Sequence, residues 1–166
     1  MRALVWIIED TWQATVSQAA AFLPADADIT LLHVTNTEPE TLARAARRGL
    51  LGRHQPPTSA REPLQAISEQ AAQALLADAQ DQLQRPAARQ ARRGRVELEV
   101  TTAAEPMDLL ILARDGDHQH LGPHSLGPTA RYVVDHAPCD VLLIWPDATP
   151  PLTTIPSPPP AGTKPR

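Results

Sequence analysis

Apolar residues gather along this chain in short continuous runs, and between the runs they return every three or four positions. "ALVWII" (3–8) has the length of a buried strand. In the following "EDTWQATVSQAAAFLP", Trp12, Val16, Ala19, Ala20 and Leu23 share one helical face, Asp10 and Gln13 have the spacing of a capping box, and Pro24 closes the segment. "DITLLHV" (28–34) reads as a second strand. After an Arg-rich stretch and a Pro/Ser-containing loop, "PLQAISEQAAQALLADAQDQLQ" (63–84) places Leu64, Ile67, Ala71, Leu75 and Ala79 on one face of a long helix. "MDLLILA" (107–113) and "DVLLIW" (140–145) are two more strands. Between them, "PTARYVVDHA" (128–137) has Pro in its first turn and Ala130, Val133, Val134 and Ala137 on its inner side.

The piece from 85 to 106 admits two readings. "VELEV" (96–100) alternates like a strand, but then only "TTAAEP" separates it from "MDLLILA", and a parallel crossover needs a dozen or more residues. The other reading makes "AARQARR" (87–93) a short polar strand, Gly94 the turn, and "VELEVTTAA" (96–104) a helix with Val96, Val100 and Ala103 on one side. It satisfies the crossover at the expense of local β propensity, and it is preferred on that ground. A strand so polar belongs at a sheet edge, where arginines also discourage aggregation.

Strands alternating with helices, and apolar on both faces, predict an α/β fold: a doubly wound, open parallel sheet of five strands, Rossmann-like, with helices on both faces. Such sheets take ligands at the carboxyl ends of their strands, near the switch in strand order.

The 166 residues are enough for one domain with its own core. Prolines crowd into "PDATPPLTTIPSPPPAGTKPR", so a folded unit over 1–146 and an extended or disordered Pro-rich tail over 147–166 are expected. The net charge of −4 and basic runs without interleaved aromatics argue against nucleic acid as a partner. No run reaches the length of a membrane span, and "ALVWII" is too short for a secretory leader, which leaves a cytoplasmic protein without a membrane partner as the expectation. One cysteine, Cys139, excludes an internal disulfide and any cysteine-pair zinc site. Next to Pro138 and a buried strand, it reads as a small core or turn residue.

"DITLLHV", "DLLILARDG" and "LGPTARYVVDHAPCDVLLIW" resemble the universal stress protein family, over essentially residues 2–146 and most specifically in the last forty of these. The resemblance implies an adenine-nucleotide-hydrolase-like sheet of order 3-2-1-4-5, a frequent homodimer and, in one branch, ATP bound at the strand ends. That order puts the third strand at one edge, in agreement with the polar "AARQARR". It puts "DVLLIW" at the other, where a bare apolar strand is a hazard, so a homodimer through Asp140–Trp145 is expected alongside protein partners of unknown identity.

The nucleotide-binding branch carries an aspartate ending strand one, a backbone contact after strand two, and Gly, two residues, Gly, nine residues, then Gly with Ser or Thr. Carried over by resemblance, the cofactor-binding positions here are Glu9, Asp10, Val34, Ala113, Gly116, Gly127, Pro128 and Thr129. Several depart from the pattern. Ile8 stands at the aspartate position, with Glu9 and Asp10 one and two residues later, and Val34 serves the adenine backbone contact. Ala113 replaces the first glycine, ten residues rather than nine separate Gly116 from Gly127, and Pro128 replaces Ser or Thr, with Thr129 one place on. Pro128 lacks the N–H that a helix start offers a phosphate, and Asp115 and Asp117 oppose a polyanion. Gly116 and Gly127 have a plain alternative role in supplying turn geometry.

His118, His120 and His124, with Asp115 or Asp117, raise a metal site, but an exposed polar loop fits them better, and no metal is assigned. His33 reads as a hydrogen-bonded core residue and His136 as a helix-end cap. With no Gly-Ser-x-x-Asp loop, Gly-x-Ser-x-Gly elbow or Walker loop, no catalytic residue is assigned. The expected function is a regulatory or protective domain acting through partners, with weak or degenerate ATP binding. The alternative is an ATP-binding stress protein with slow hydrolysis.

Overall fold

A computed structural model describes residues 1–37, 62–155 and 157. Five parallel strands form one sheet in the order β3-β2-β1-β4-β5: β1 (Arg2–Trp6), β2 (Asp28–Asn36), β3 (Ala88–Gly94), β4 (Leu109–Ala113) and β5 (Asp140–Ile144). Among the described residues, four α-helices alternate with them: α1 (Trp12–Phe22), α2 (Glu62–Leu83), α3 (Val96–Ala104) and α4 (Pro128–His136). The crossover argument therefore selected the right reading, since the polar segment is the edge strand and "VELEVTTAA" is helical. Arg92 and Arg93 on that edge lie 3.6 and 3.9 Å from Glu99 and Glu69.

Period-two alternation sorts the strand side chains into two cores. Val5, Ile7, Ile29, Leu31 and Ile111 face α1 and α2, where Val16, Ala19, Leu76 and Ala79 meet them. Leu4, Trp6, Leu32, Leu110 and Leu112 face α3 and α4, against Val100, Ala103, Ala130 and Val133. Each fully buried Leu or Ile contributes about 1.5–3 kcal/mol through removal of its surface from water.

Three local expectations are corrected. Asp10 does not cap α1: the Ile8 carbonyl accepts both Thr11 and Trp12 N–H, at 3.0 and 2.9 Å, and this tightened turn moves the N-cap to Thr11, so no capping box forms. Ala20 lies outside the buried stripe of α1, which consists of Thr15, Val16 and Ala19. The inner face of α2 is rotated by one residue, to Ala72, Leu76, Ala79 and Leu83, leaving Ile67 and Ala71 exposed and Leu75 only partly buried. In so alanine-rich a helix the periodicity locates the stripe only loosely. Docking on α1 decides it, with Gln82 Nε2 donating to the Gln13 carbonyl and to Ser17 Oγ. Leu64 and the Arg-rich and Pro/Ser stretches before it lie outside the described side chains.

Asp108, just ahead of β4, fastens the two central strands. It accepts the Arg2 backbone N–H at 2.7 Å and pairs with the Arg2 guanidinium at 3.1 Å. These bonds, the backbone one first, hold its carboxyl below the ordinary carboxylate value. A lowered folded value means that the contribution is fully present above the unfolded value of about 3.9 and is lost as pH falls through the folded one. Asp108→Asn is therefore expected to flatten the acid limb of the stability profile below about pH 4. Urea titrations at stepped pH check this, and an unchanged acid limb would contradict it.

The segment after β5 begins against the domain. Pro150 is buried, a short 3-10 turn spans Leu152–Thr154, and Leu121 N–H donates to Thr154 Oγ1 at 3.0 Å. Residues 156 and 158–166 of the expected tail lie outside the described residues. Among the described residues, no helix is long and apolar enough to cross a membrane.

Candidate functional site

The switch in strand order falls between β1 and β4, whose carboxyl ends open into the loops 7–11 and 114–127. β1 ends in a fixed corner. His33 on β2, 7 % exposed, donates Nδ1–H to the Ile7 carbonyl at 3.0 Å and turns Nε2 toward Glu9, 3.8 Å away. The Leu32 carbonyl accepts Ile7 N–H, so the backbone of Leu32 faces β1, and by strand alternation that of Val34 does too, beyond the paired part of β1. Val34 thus presents backbone groups at the mouth of the crevice, as a base-reading position requires. Ile8 is partly buried against the α3/α4 core and brings no carboxylate.

The loop after β4 is a built structure rather than an open cradle. Gly116 N–H donates to the Ser125 carbonyl at 3.1 Å and Asp117 N–H to the His124 carbonyl at 2.8 Å, so the loop doubles back on itself. A Cβ on Gly116 would sit 2.2 Å from the His124 carbonyl oxygen. Close backbone approach, not the turn dihedral anticipated from sequence, is what demands glycine there. Gly116→Ala is expected to cost about 1–3 kcal/mol, as overpacking does, lowering Tm by roughly 3–10 °C. Thermal unfolding by circular dichroism measures it, and a shift below one degree would show that the loop yields freely.

Arg114 ties the loop to β5. Its guanidinium lies over the Trp145 ring, 4.4 Å from the centroid, and donates to Ser125 Oγ, which in turn donates to the Gly122 carbonyl at 2.7 Å. Burial pushes the Arg114 value down. Ser125 is fully buried and Arg131 holds the Pro123 carbonyl, so both ends of the loop are anchored.

The start of α4, where the resemblance implies a phosphate, is filled from within. Gly127 is the N-cap of α4, and its N–H donates to Asp115 Oδ1 at 2.7 Å. A Cβ on Gly127 would lie 2.9 Å from Asp115 Oδ2, so a larger residue there would push the carboxylate aside. Pro128 follows as the first helical residue and offers no donor. Thr129 does not restore the missing hydroxyl, because its Oγ1 points to Glu97 Oε1, 3.4 Å away on α3. Of the two aspartates expected to repel a polyanion, only Asp115 stands at the helix start. Asp117 instead accepts Gln119 N–H and contacts His120, each at 2.8 Å, and these bonds lower its carboxyl value.

The structure thus gathers Ala113, Gly116, Gly127, Pro128 and Thr129 around the β4–α4 loop, while Glu9 stands beside His33 and Asp10 opens into a separate cavity by His118. The roles of Asp115, Arg114 and Ser125 were not foreseen. A carboxylate twelve residues before a helix-leading glycine was the available signal for the first. His118 donates Nε2–H to the Arg114 carbonyl at 2.8 Å and faces Asp147 at 3.4 Å. Among the described residues, no three of His, Cys, Asp and Glu are placed to hold a metal ion. Burial raises the Cys139 thiol value, which disfavours the thiolate a nucleophile needs. His136 Nδ1 donates to the Tyr132 carbonyl at 2.8 Å within α4, so it is engaged at the helix end.

A sequence model described as the universal stress protein family matches residues 9–144. Among solved structures, the hypothetical protein MJ0577 is 17% identical, covers 87% of this chain and 94% of its own, and superposes with a TM-score of 0.63. The universal stress protein UspA from Lactobacillus plantarum is 23% identical over 87% of this chain and 97% of its own, with a TM-score of 0.56. A universal stress protein in complex with cAMP is 13% identical over 89% and 98%, with a TM-score of 0.53. Among curated proteins, none matches this chain. At these identities the structural likeness speaks for the fold.

Proposed function

This chain belongs to the universal stress protein family, and on that premise we propose that it is a regulatory or protective domain that acts in the cytoplasm by binding protein partners, with a nucleotide site reduced to weak affinity. The observation that carries the reading is the Asp115 carboxylate on the Gly127 N–H, at 2.7 Å. A helix start favours an anion because its N–H groups lack partners and its dipole is positive there. Here one donor is taken by the protein's own anion and the next residue, Pro128, has none. A nucleotide phosphate must displace a charge-assisted bond and meet a like charge.

The rest of the crevice supports a residual adenine contact. The Val34 backbone faces the opening, and a structural neighbour of this family holds cAMP, whose single phosphate asks less of a helix end than a triphosphate does. ATP with slow turnover is the weaker reading, since at this helix start the Gly127 N–H is already engaged, Pro128 has none, and the Asp115 charge stands beside the remaining donors.

Calorimetric titration with magnesium ATP tests the proposal. Losing one or two charge-assisted bonds at about 1.5–3 kcal/mol each predicts a Kd no tighter than the high micromolar range. A low-micromolar Kd, or ATP retained through native purification, would overturn it in favour of the ATP-binding reading.

A further inference from the structure

The family match ends at residue 144, and three residues beyond it reach back to the β4–α4 loop. The Trp145 ring lies under the Arg114 guanidinium, 4.4 Å from ring centroid to guanidinium carbon. Asp147 faces His118 Nδ1 at 3.4 Å, and Thr154 Oγ1 accepts the Leu121 N–H at 3.0 Å. The last contact is prepared within the segment itself. Thr154 turns both its N–H and its hydroxyl to the Pro151 carbonyl, at 3.0 and 2.7 Å, which leaves the hydroxyl lone pairs for the loop. Pro150 is buried, and Pro146, Pro150 and Pro151 each fix a backbone dihedral, so the segment loses little freedom on docking. Two of the contacts fall on the tip of the loop, 118–121, beyond the neck where Gly116 and Asp117 N–H pair with the Ser125 and His124 carbonyls. That neck carries Asp115 to the Gly127 N–H. The tip ends at Gly122, whose φ of +148° is rarely open to a side chain, although a Cβ there would meet nothing within 4 Å. Glycine is needed there for the dihedral alone, in open space, which suits a hinge.

We propose that residues 146–155 are an autoinhibitory strap. Docked, the strap holds the tip, and with it the neck that keeps Asp115 on Gly127. Released, it lets the tip turn about Gly122 and opens the start of α4 to an anion. The inference rests on the nucleotide reading above and adds what governs that site. A neutral hydrogen bond, one buried proline and an exposed carboxylate beside a histidine are individually weak, so the strap can leave while the sheet stays folded. The residues matched by the family model, 9–144, include none of it. Docked and released forms differ in affinity for the same ligand, so the released fraction sets the apparent affinity.

The test compares the full chain with its double variant Pro150→Gly/Thr154→Val, which removes the buried ring and the acceptor of the Leu121 N–H without changing charge. Amide hydrogen exchange read residue by residue by NMR, and calorimetric titration with magnesium ATP, are the two measurements. Leu121 loses its partner by the substitution itself, so the deciding amides are Gly116 and Asp117, whose acceptors on Ser125 and His124 are untouched. A strap docked roughly nine-tenths of the time lowers apparent affinity about tenfold, so the variant is expected to bind about tenfold more tightly. Exchange at Gly116 and Asp117 is expected to quicken by about the same factor, because one docking equilibrium governs both. Val5 and Ile111, in the central strands, are expected to keep their rates and so report an intact sheet. Unchanged exchange at Gly116 and Asp117 would overturn the proposal, since the strap would then hold nothing. Faster exchange with an unchanged Kd would also overturn it, leaving a structural buttress and the weak-site reading in place. Low-micromolar binding by the unaltered chain and the variant alike would overturn both readings, since the docked strap would then inhibit nothing.

Discussion

The double variant Asp115→Ala/Pro128→Ser is expected to bind magnesium ATP at least tenfold more tightly than the unaltered chain, while melting at a lower temperature. Asp115 Oδ1 accepts the Gly127 N–H at 2.7 Å, so its removal frees a helix-end donor and withdraws a negative charge from the same place. Serine at 128 adds a backbone N–H and a hydroxyl to that end. Each hydrogen bond to a charged group is worth about 1.5–3 kcal/mol, and 1.4 kcal/mol is tenfold in Kd, so even one recovered bond meets the expectation. Stability moves the other way. The Asp115 carboxylate is a cap for α4, and losing a cap costs about 1 kcal/mol, or roughly 2–4 °C in a chain of this size. Calorimetry and thermal unfolding on one preparation read both effects. Unchanged affinity with the expected loss of stability would show that Asp115 is a cap only and that the site is closed to nucleotide for another reason.

That opposition explains why the site was only half legible in the sequence. Ile8 in place of an aspartate and Pro128 in place of Ser or Thr could be read as losses, because each depends on one residue's own chemistry. The part of Asp115 could not, since Asp115 and Asp117 are equivalent in a linear reading. Only the doubling back of the loop at Gly116, pairing 116–117 with 124–125, swings one of them to the helix start and the other to His120.

The fold was more legible because its signals are periodic and its connections constrained. The edge position of "AARQARR" followed from crossover length, although its residues are poor strand formers. Where the signal was a phase rather than a period, reading stopped short. The inner stripe of α2 was set one residue off, because alanines on neighbouring stripes look alike until α1 docks. The start of α1 was set one residue early, because the Ile8 carbonyl captures two N–H groups in a turn that Asp10 does not control.

Leu143→Pro is expected to convert a homodimer into monomers while leaving the sheet of each chain intact. β5 pairs with β4 on one side only, and Val141, Leu142 and Leu143 remain half-buried where Leu110, Ile111 and Leu112 of β4 are fully buried. Half-buried apolar residues on both faces of an edge strand are the pattern of an edge awaiting a partner, and a symmetric copy satisfies its backbone and closes the assembly. Arg114 N–H donates to the Ile144 carbonyl at 2.9 Å, so the backbone of Ile144 faces β4, and by alternation that of Leu143 faces the open edge. Proline at 143 therefore deletes an outward N–H and spares the β4–β5 ladder, the one setting in which a strand tolerates it. Proline at 142, whose backbone faces β4, is the contrasting change and is expected to destabilise the fold itself. Light scattering gives the mass and circular dichroism the melting temperature of each variant. A dimer that survives Leu143→Pro would place the contact elsewhere than on β5, and a monomeric unaltered chain at high concentration would overturn the dimer itself.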